Sequence, residues 1–456
     1  MEGDLISKIR EMVGAEKVLE SEEERKCYAY DARVHGEVPD LVVFPTSRED
    51  VAKILSLADR YVFPVIPRGA GSGVTGGCVP IGGGVVLCFT RMDRILEIDE
   101  ANLIAILEPG VITFNLQEEV KRFGLFYPPD PSSHKYSTIG GNVAECAGGP
   151  NSLKYGVTRD YVLGLEVALA DGRIIETGVR TKKGVVGYDL VRLLVGSEGT
   201  LGVVTKVILK LLPLPEERAT VLALFSTVED AALAVSSILK RKILPCTMEF
   251  MDRASIRCVE MGEPMGIPSY VNALLLMELD GNERGVARDL EKVMVALREE
   301  GAKDVWATMD EKERERLWHA RRTLSQATYR LNPVKIAEDV VVPQSQVPEL
   351  IRFLEGLSLG LSIPILSYGH ACDGNFHVSI MIKDEEEEKR RGEEAVRHIF
   401  RKTIELGGTI SGEHGIGIAK RPFIRMELGE EEIETMLRIK RALDPKNILN
   451  PGKIFE

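Results

Sequence analysis

Short apolar runs bounded by glycine and proline fill the first half of the chain. "DLVVFP" (40–45), "GVVLCF" (84–89), "LGLEVALADG" (163–172) and "GVVTKVILKLLPLP" (202–215) are rich in valine and leucine and too short for helices, which predicts strands. Beyond residue 217 the period lengthens. "TVEDAALAVSSILKR" (227–241) opens with a threonine cap and an acidic first turn. "NERGVARDLEKVMVALREEG" (282–301) and "DEKERERLWHARRTLSQATYRL" (310–331) repeat apolar residues at helical spacing. "YVNALLLMEL" (270–279) and "KDVWATM" (303–309) read as strands, so this region predicts an antiparallel sheet with helices on one face. "LPLPEER" (212–218) marks a border, because closely spaced prolines break helix and ladder alike. "DEEEEKRRGEEAVRHIFRKTIELGG" (384–408) is a helix with a charged, solvated face, and "EEEIETMLRIKRAL" (430–443) is the last helix. The predicted domains are 1–216, 217–407 and a C-terminal segment, 408–456.

The hairpin "SYGHACDGNFHVSIMI" (367–382) holds two of the seven histidines. Asp-Gly between apolar runs favours a two-residue turn, since both positions then take positive φ. With Asp373 and Gly374 as that turn, His370 faces His377, their Cβ atoms about 5 Å apart. Two such imidazoles either hydrogen-bond or hold one metal ion.

Composition narrows the class. At 456 residues, 44% hydrophobic and 28% charged, the chain fits a globular protein of two or three domains. Its net charge of −12 argues against a nucleic-acid partner. No apolar run approaches the ~20 residues of a membrane span, and the acidic start "MEGDLISKIREMVG" is no signal peptide. Seven scattered cysteines without a C-x-x-C pair exclude a familiar iron–sulfur or zinc spacing. They suit a reducing compartment, so the expected address is the cytoplasm, with a membrane reached only through a partner.

"VIPRGAGSGVTGG" (65–77) contains G-x-G-x-x-G at Gly71, Gly73 and Gly76. In a dinucleotide fold this motif opens a helix, but the glycine-rich "GGCVPIGGGVVLCF" that follows is too β-like. What remains is an anion nest of backbone N–H groups with Arg68 adding charge. "YPPDPSSHKYSTIGGNVAECAGGPNSLKYG" (127–156) is a second cluster of small residues. Several such segments suit an extended ligand carrying a diphosphate better than a small substrate.

Taken in order, "PRGAGSGVTGG", "DPSS…STIGGNVAECAGG", "VLGLEVALADG", "GSEGTLGVVT", "GHACDGNFH", "SGEHGIG" and "DPKNILNPGK" resemble the FAD-linked D-2-hydroxy-acid dehydrogenases of the vanillyl-alcohol oxidase superfamily. The resemblance implies an α+β fold: a two-subdomain FAD-binding domain of the p-cresol methylhydroxylase (PCMH) type, plus a substrate domain with an antiparallel sheet covered by helices. It implies that Pro67, Arg68, Gly69, Ala70, Gly71, Ser72 and Gly73 cradle the pyrophosphate. Pro131, Ser132, Thr138, Gly140, Gly141 and Asn142 line the flavin, Glu198, Gly199 and Val204 meet the adenosine side or ring edge, and Asn450 approaches from the C-terminus. Some relatives attach flavin through a histidine in the first loop. None stands there, so FAD is expected to bind non-covalently, His134 being the other histidine to consider.

The same resemblance makes His370, His377 and Glu413 ligands of a divalent metal (zinc, manganese or iron) and His414 the catalytic base. Two histidines and one carboxylate leave open positions, as a catalytic ion requires. Arg321, three residues after Trp318, is expected on the substrate carboxylate. Ser325 replaces the family's threonine, and Lys335 is the substrate lysine, two residues further from its aspartate than the family pattern has it. The implied reaction is oxidation of a D-2-hydroxy acid such as D-lactate or glycolate, with electrons passed to a quinone, a cytochrome, an electron-transferring flavoprotein or an iron–sulfur subunit. A homodimer fits the family. Two other readings are a non-redox FAD enzyme of the alkylglycerone-phosphate synthase type and a non-catalytic flavoprotein subunit of a glycolate oxidase-like complex.

Overall fold

The computed structural model describes residues 3–262 and 264–455. The chain divides into two compact units. One comprises the chain up to Gly149, Gly156–Leu214 and everything from Glu413 onward; the other is Pro150–Tyr155 with Pro215–Gly412.

Two sheets build the first unit. Strands β1 (Val18–Leu19), β2 (Leu41–Val43), β3 (Val65–Arg68) and β4 (Val85–Cys88) lie in the order β1-β2-β4-β3, and β2, β4 and β3 run parallel. The helix Arg48–Tyr61 makes the crossover from β2 to β3. Ser47 caps it by accepting from the Asp50 N–H at 3.2 Å, and Val51, Ile54, Leu55 and Ala58 seal it onto Val43, Val65 and Leu87. No helix follows the glycine motif: the chain from Arg68 to Val85 is irregular, as its composition predicts. The second sheet is antiparallel throughout. Its strands β5 (Ile95–Asp99), β6 (Ile104–Leu107), β8 (Val162–Ala168), β9 (Ile174–Gly178) and β10 (Val203–Lys210) are ordered β5-β6-β10-β8-β9. A short ladder joins β7 (Leu125–Phe126) to β11 (Leu212–Pro213). The C-terminal segment returns beside β3, where the Asn450 N–H donates to the Val65 carbonyl at 2.8 Å.

The second unit is one seven-stranded antiparallel sheet. Its strands are β12 (Glu217–Phe225), β13 (Thr247–Asp252), β14 (Ala273–Gly281), β15 (Asp304–Thr308), β16 (Val334–Val341), β17 (Ile365–His370) and β18 (Asn375–Ile382), in the order β15-β12-β14-β13-β17-β18-β16. Helices cover both faces rather than the single face expected. Arg253–Glu260 and Glu311–Ala327 pack on one, through Ile256, Val259, Leu317 and Leu324 against Leu222, Met251 and Leu276. Glu386–Glu405 lies on the other, where its Gly392 approaches Ile336 and Ile382. Two-sided burial explains why "ALLLM" is continuously apolar instead of alternating. Among the described residues, no helix is long and apolar enough to cross a membrane.

Candidate active site

In the first unit, glycine backbone builds a cradle. Gly71 and Gly76 take φ of +70° and +82°, which side-chain-bearing residues rarely adopt. The helix Ile139–Glu145 starts at Thr138, whose hydroxyl accepts from the Gly141 N–H at 3.2 Å. Gly69 abuts that hydroxyl so closely that a Cβ there would stand 2.1 Å from it, which welds the two glycine segments together. Gly73 and Gly141 differ: a Cβ at Gly73 would meet only Asp31, at 3.8 Å, and at Gly141 only Thr138, at 3.2 Å. Backbone stripped of side chains where the protein itself leaves room is what a phosphate-bearing cofactor needs, so these residues fit FAD.

The other residues named for the flavin have these protein partners. Arg68 is buried; its guanidinium lies under Gly71, donates to Cys78 Sγ at 3.3 Å and stacks over Tyr28. Asn142 turns inward and donates to Thr113 Oγ1 at 2.8 Å. Pro131 accepts from the His134 N–H at 2.7 Å, while Ser132 is exposed. Gly199, at φ +70°, packs on Pro67, and Val204 pairs with Val167 in the sheet. Asn450 spans two segments, donating to the carbonyls of Gly77 and Glu198, both at 2.7 Å.

Glu198, expected at the adenosine side or ring edge, accepts from the Ile416 and Gly417 N–H groups, both at 2.8 Å, and so shapes the "SGEHGIG" loop. Beside it stands Glu145, whose enclosed Oε2 has no hydrogen-bond partner. Burial and the neighbouring Glu198 charge push the Glu145 carboxyl well above the usual range. His414 sits in the same loop. Its carbonyl accepts from Thr75 Oγ1 at 3.0 Å, and its Nε2 lies 3.9 Å from Glu413 Oε1.

In the second unit the hairpin turns in four residues, 371–374, not two. His370 pairs with Asn375 and His377 with Tyr368. The register therefore shifts by two positions, and because side chains alternate with period two, both histidines keep the same sheet face. They become diagonal neighbours with ring centroids 5.5 Å apart. Gly374 keeps the predicted positive φ, +76°, but the wider loop lets it lie against the carbonyl of Val342, just past β16, where a Cβ would clash at 1.9 Å. His370, His377 and Glu413, the residue where the chain leaves this unit, each offer one ligand atom, all within 4.8 Å of one another. That donor set suits zinc, manganese or iron.

The helix Glu311–Ala327 runs over this face. Trp318 Nε1 donates to Glu278 at 3.0 Å, Arg321 reaches Glu249, and Lys335 Nζ donates to Ser325 Oγ at 2.9 Å and its carbonyl at 2.6 Å. Arg321 and Trp318 are buried, so the charged helix presents one of its arginines inward. Sequence reasoning missed Glu249. It is wholly buried on β13, receives Arg321 Nε and Nη2 on Oε2 at 2.7 and 2.6 Å, and meets His370 Nδ1 at 2.5 Å through Oε1. Burial alone would raise its carboxyl, but the Arg321 charge and His370 hold it far below the usual range. The available signal was a carboxylate inside the apolar run "TMEFM".

The first unit thus carries a glycine cradle that fits a diphosphate, and the second a buried histidine–arginine–carboxylate cluster. The model of the FAD linked oxidases, C-terminal domain, matches residues 214–454, and that of the FAD binding domain matches residues 39–178. The chain belongs to the FAD-linked oxidase family. It is 46% identical over 457 residues to a glycolate oxidase subunit GlcD of Bacillus subtilis, covering 99% of this chain and 97% of that one. A D-lactate dehydrogenase of Anaerostipes hadrus is 35% identical over 465 residues, again covering 99% and 97%. Crystalline p-cresol methylhydroxylase with substrate bound superposes with a TM-score of 0.79 at 17% identity, covering 99% of this chain and 96% of that one, which shows a shared fold.

Proposed function

We propose that the chain oxidises a D-2-hydroxy acid of the lactate or glycolate class to the 2-oxo acid, with 1–216 binding the flavin, 217–407 the substrate, and 408–456 returning to the FAD domain with Glu413 and His414. The observation that carries this reading is the convergence of His370, His377 and Glu413 within 4.8 Å, with Arg321 tied to His370 through Glu249. Arg321 binds the substrate carboxylate through the guanidinium end that Glu249 leaves open. His414 takes the hydroxyl proton on a ring nitrogen, and Ser325 and Lys335 hold one another at the end of the same face. The two histidines and Glu413 hold a divalent ion. Bound FAD supplies the hydride acceptor, and the ion a Lewis acid that lowers the hydroxyl pKa.

The subunit names of relatives support work within an assembly that carries electrons onward to a quinone, cytochrome, flavoprotein or iron–sulfur partner. Seven unpaired cysteines support a cytoplasmic address. Anaerobic addition of D-lactate or glycolate should bleach the flavin, L-lactate should do so far less, and chelation should block bleaching while FAD stays bound. Flavin that stays oxidised with every 2-hydroxy acid refutes the reading and returns the chain to a non-redox or non-catalytic role.

A further inference from the structure

We propose that Glu249 is the positioning residue of this site, fixing which nitrogen of His370 meets the ion and which end of Arg321 meets the substrate. Glu249 lies mid-strand on β13, paired in register with His370 on β17. Its two oxygens face different partners: Oε1 meets His370 Nδ1 at 2.5 Å, with Thr247 Oγ1 donating more weakly at 3.4 Å, and Oε2 takes Arg321 Nε and Nη2. A carboxylate only accepts, so His370 Nδ1 carries a hydrogen, which leaves Nε2 as the ring nitrogen that can meet an ion. The His370 and His377 rings stand edge to face, their centroids 5.5 Å apart. Outer partners such as the Glu249 carboxylate orient metal-binding histidines and raise their basicity.

The same carboxylate occupies the Nε–Nη2 edge of Arg321, while Tyr368 lies flat beneath the guanidinium, 5.1 Å from ring centroid to Cζ. Arg321 is thereby held in one rotamer with its Nη1 end left to meet a substrate carboxylate. One buried anion thus indexes the group for the hydroxyl end of the substrate and the group for its carboxylate end.

This inference rests on the proposed metal-assisted oxidation, and the test separates the two. Zinc affinity is measured on FAD-loaded, substrate-free protein by competition with a chromogenic chelator, and KM for D-lactate alongside it. Glu249→Gln keeps the volume but presents an amide N–H to one partner, so zinc should bind about 10–100-fold more weakly. KM should rise at least tenfold, and combined with Arg321→Met the two KM effects should be far from additive. A merely structural role would lower the folded fraction without changing KM or zinc affinity in what remains folded. If Glu249→Gln does not fold, Glu249→Asp keeps the charge but cannot reach both partners, and it should weaken zinc or raise KM. Wild-type zinc affinity and KM in the folded variant overturn the inference and leave the proposed oxidation standing. A wild type that bleaches with D-lactate but binds no zinc overturns both the inference and the metal part of that reading.

Discussion

Replacing Arg321 by methionine keeps most of the side-chain volume and deletes the charge that faces Glu249. Glu249 is wholly buried and Arg321 is 8% exposed, so neither can turn to water without moving the helix Glu311–Ala327. Removing one member of a buried pair leaves an uncompensated charge and costs about 3–5 kcal/mol. At about 1.4 kcal/mol per tenfold, that is two to three and a half powers of ten in the folding equilibrium. Removing both charges, as Glu249→Met with Arg321→Met, leaves only the His370 N–H without its acceptor, at about 1–3 kcal/mol. The expected order of stability is wild type, then the double variant, then Arg321→Met. Urea unfolding followed by tryptophan fluorescence measures it, because both tryptophans, Trp306 and Trp318, lie in the second unit. Arg321→Met within about 0.5 kcal/mol of wild type, or a double variant weaker than the single, refutes the buried-pair reasoning. In activity, loss of a charged hydrogen bond to the substrate, ~1.5–3 kcal/mol, should lower kcat/KM at least about tenfold.

Acid precipitation should release FAD into the supernatant; flavin retained on denatured protein would point to attachment at His134. Gly73→Val should weaken FAD binding without lowering the apoprotein's melting temperature, since a Cβ there meets only Asp31 at 3.8 Å, whereas Gly71→Val, with φ +70° and Arg68 beneath it, should lower that temperature outright. His377→Ala should lose the divalent ion and keep FAD, while His414→Ala keeps the ion and loses ~10²–10⁴-fold in turnover, with metal analysis and steady-state rates as the checks. Glu145→Gln should stabilise the FAD-loaded protein at neutral pH and hardly change it in acid. An acid whose folded pKa is raised costs nothing below its ordinary pKa and progressively more as pH rises toward the folded value, so equal melting shifts at both pH values would count against it.

What the sequence made legible follows from how far each signal reaches. Strand and helix type came through where burial imposes a period, as in "TVEDAALAVSSILKR" with its Thr227 cap accepting from Asp230 N–H at 3.1 Å. The glycine loop was readable because Gly71 and Gly76 take φ values that disfavour other residues. Hairpin register was half-readable: Asp373-Gly374 announced a turn, and a shift of two positions preserved the face although the partners changed. A shift of one would have sent the histidines to opposite faces, so the sheet face, not the turn type, carries the metal reading. Glu249 lay beyond reach for a different reason. Its meaning depends on β13 standing beside β17, a pairing between residues far apart in sequence, and on a helix laid across both. A lone carboxylate in "TMEFM" signals that a partner must exist, because a buried unpaired charge is too costly to keep. Which cation answers it is set by topology alone. Glu198 shows the same limit in the first unit: its motif was legible, but the loop it holds arrives from residues 416 and 417, more than two hundred positions on. Local chemistry therefore identifies the groups that act, and long-range pairing decides which of them aim the others.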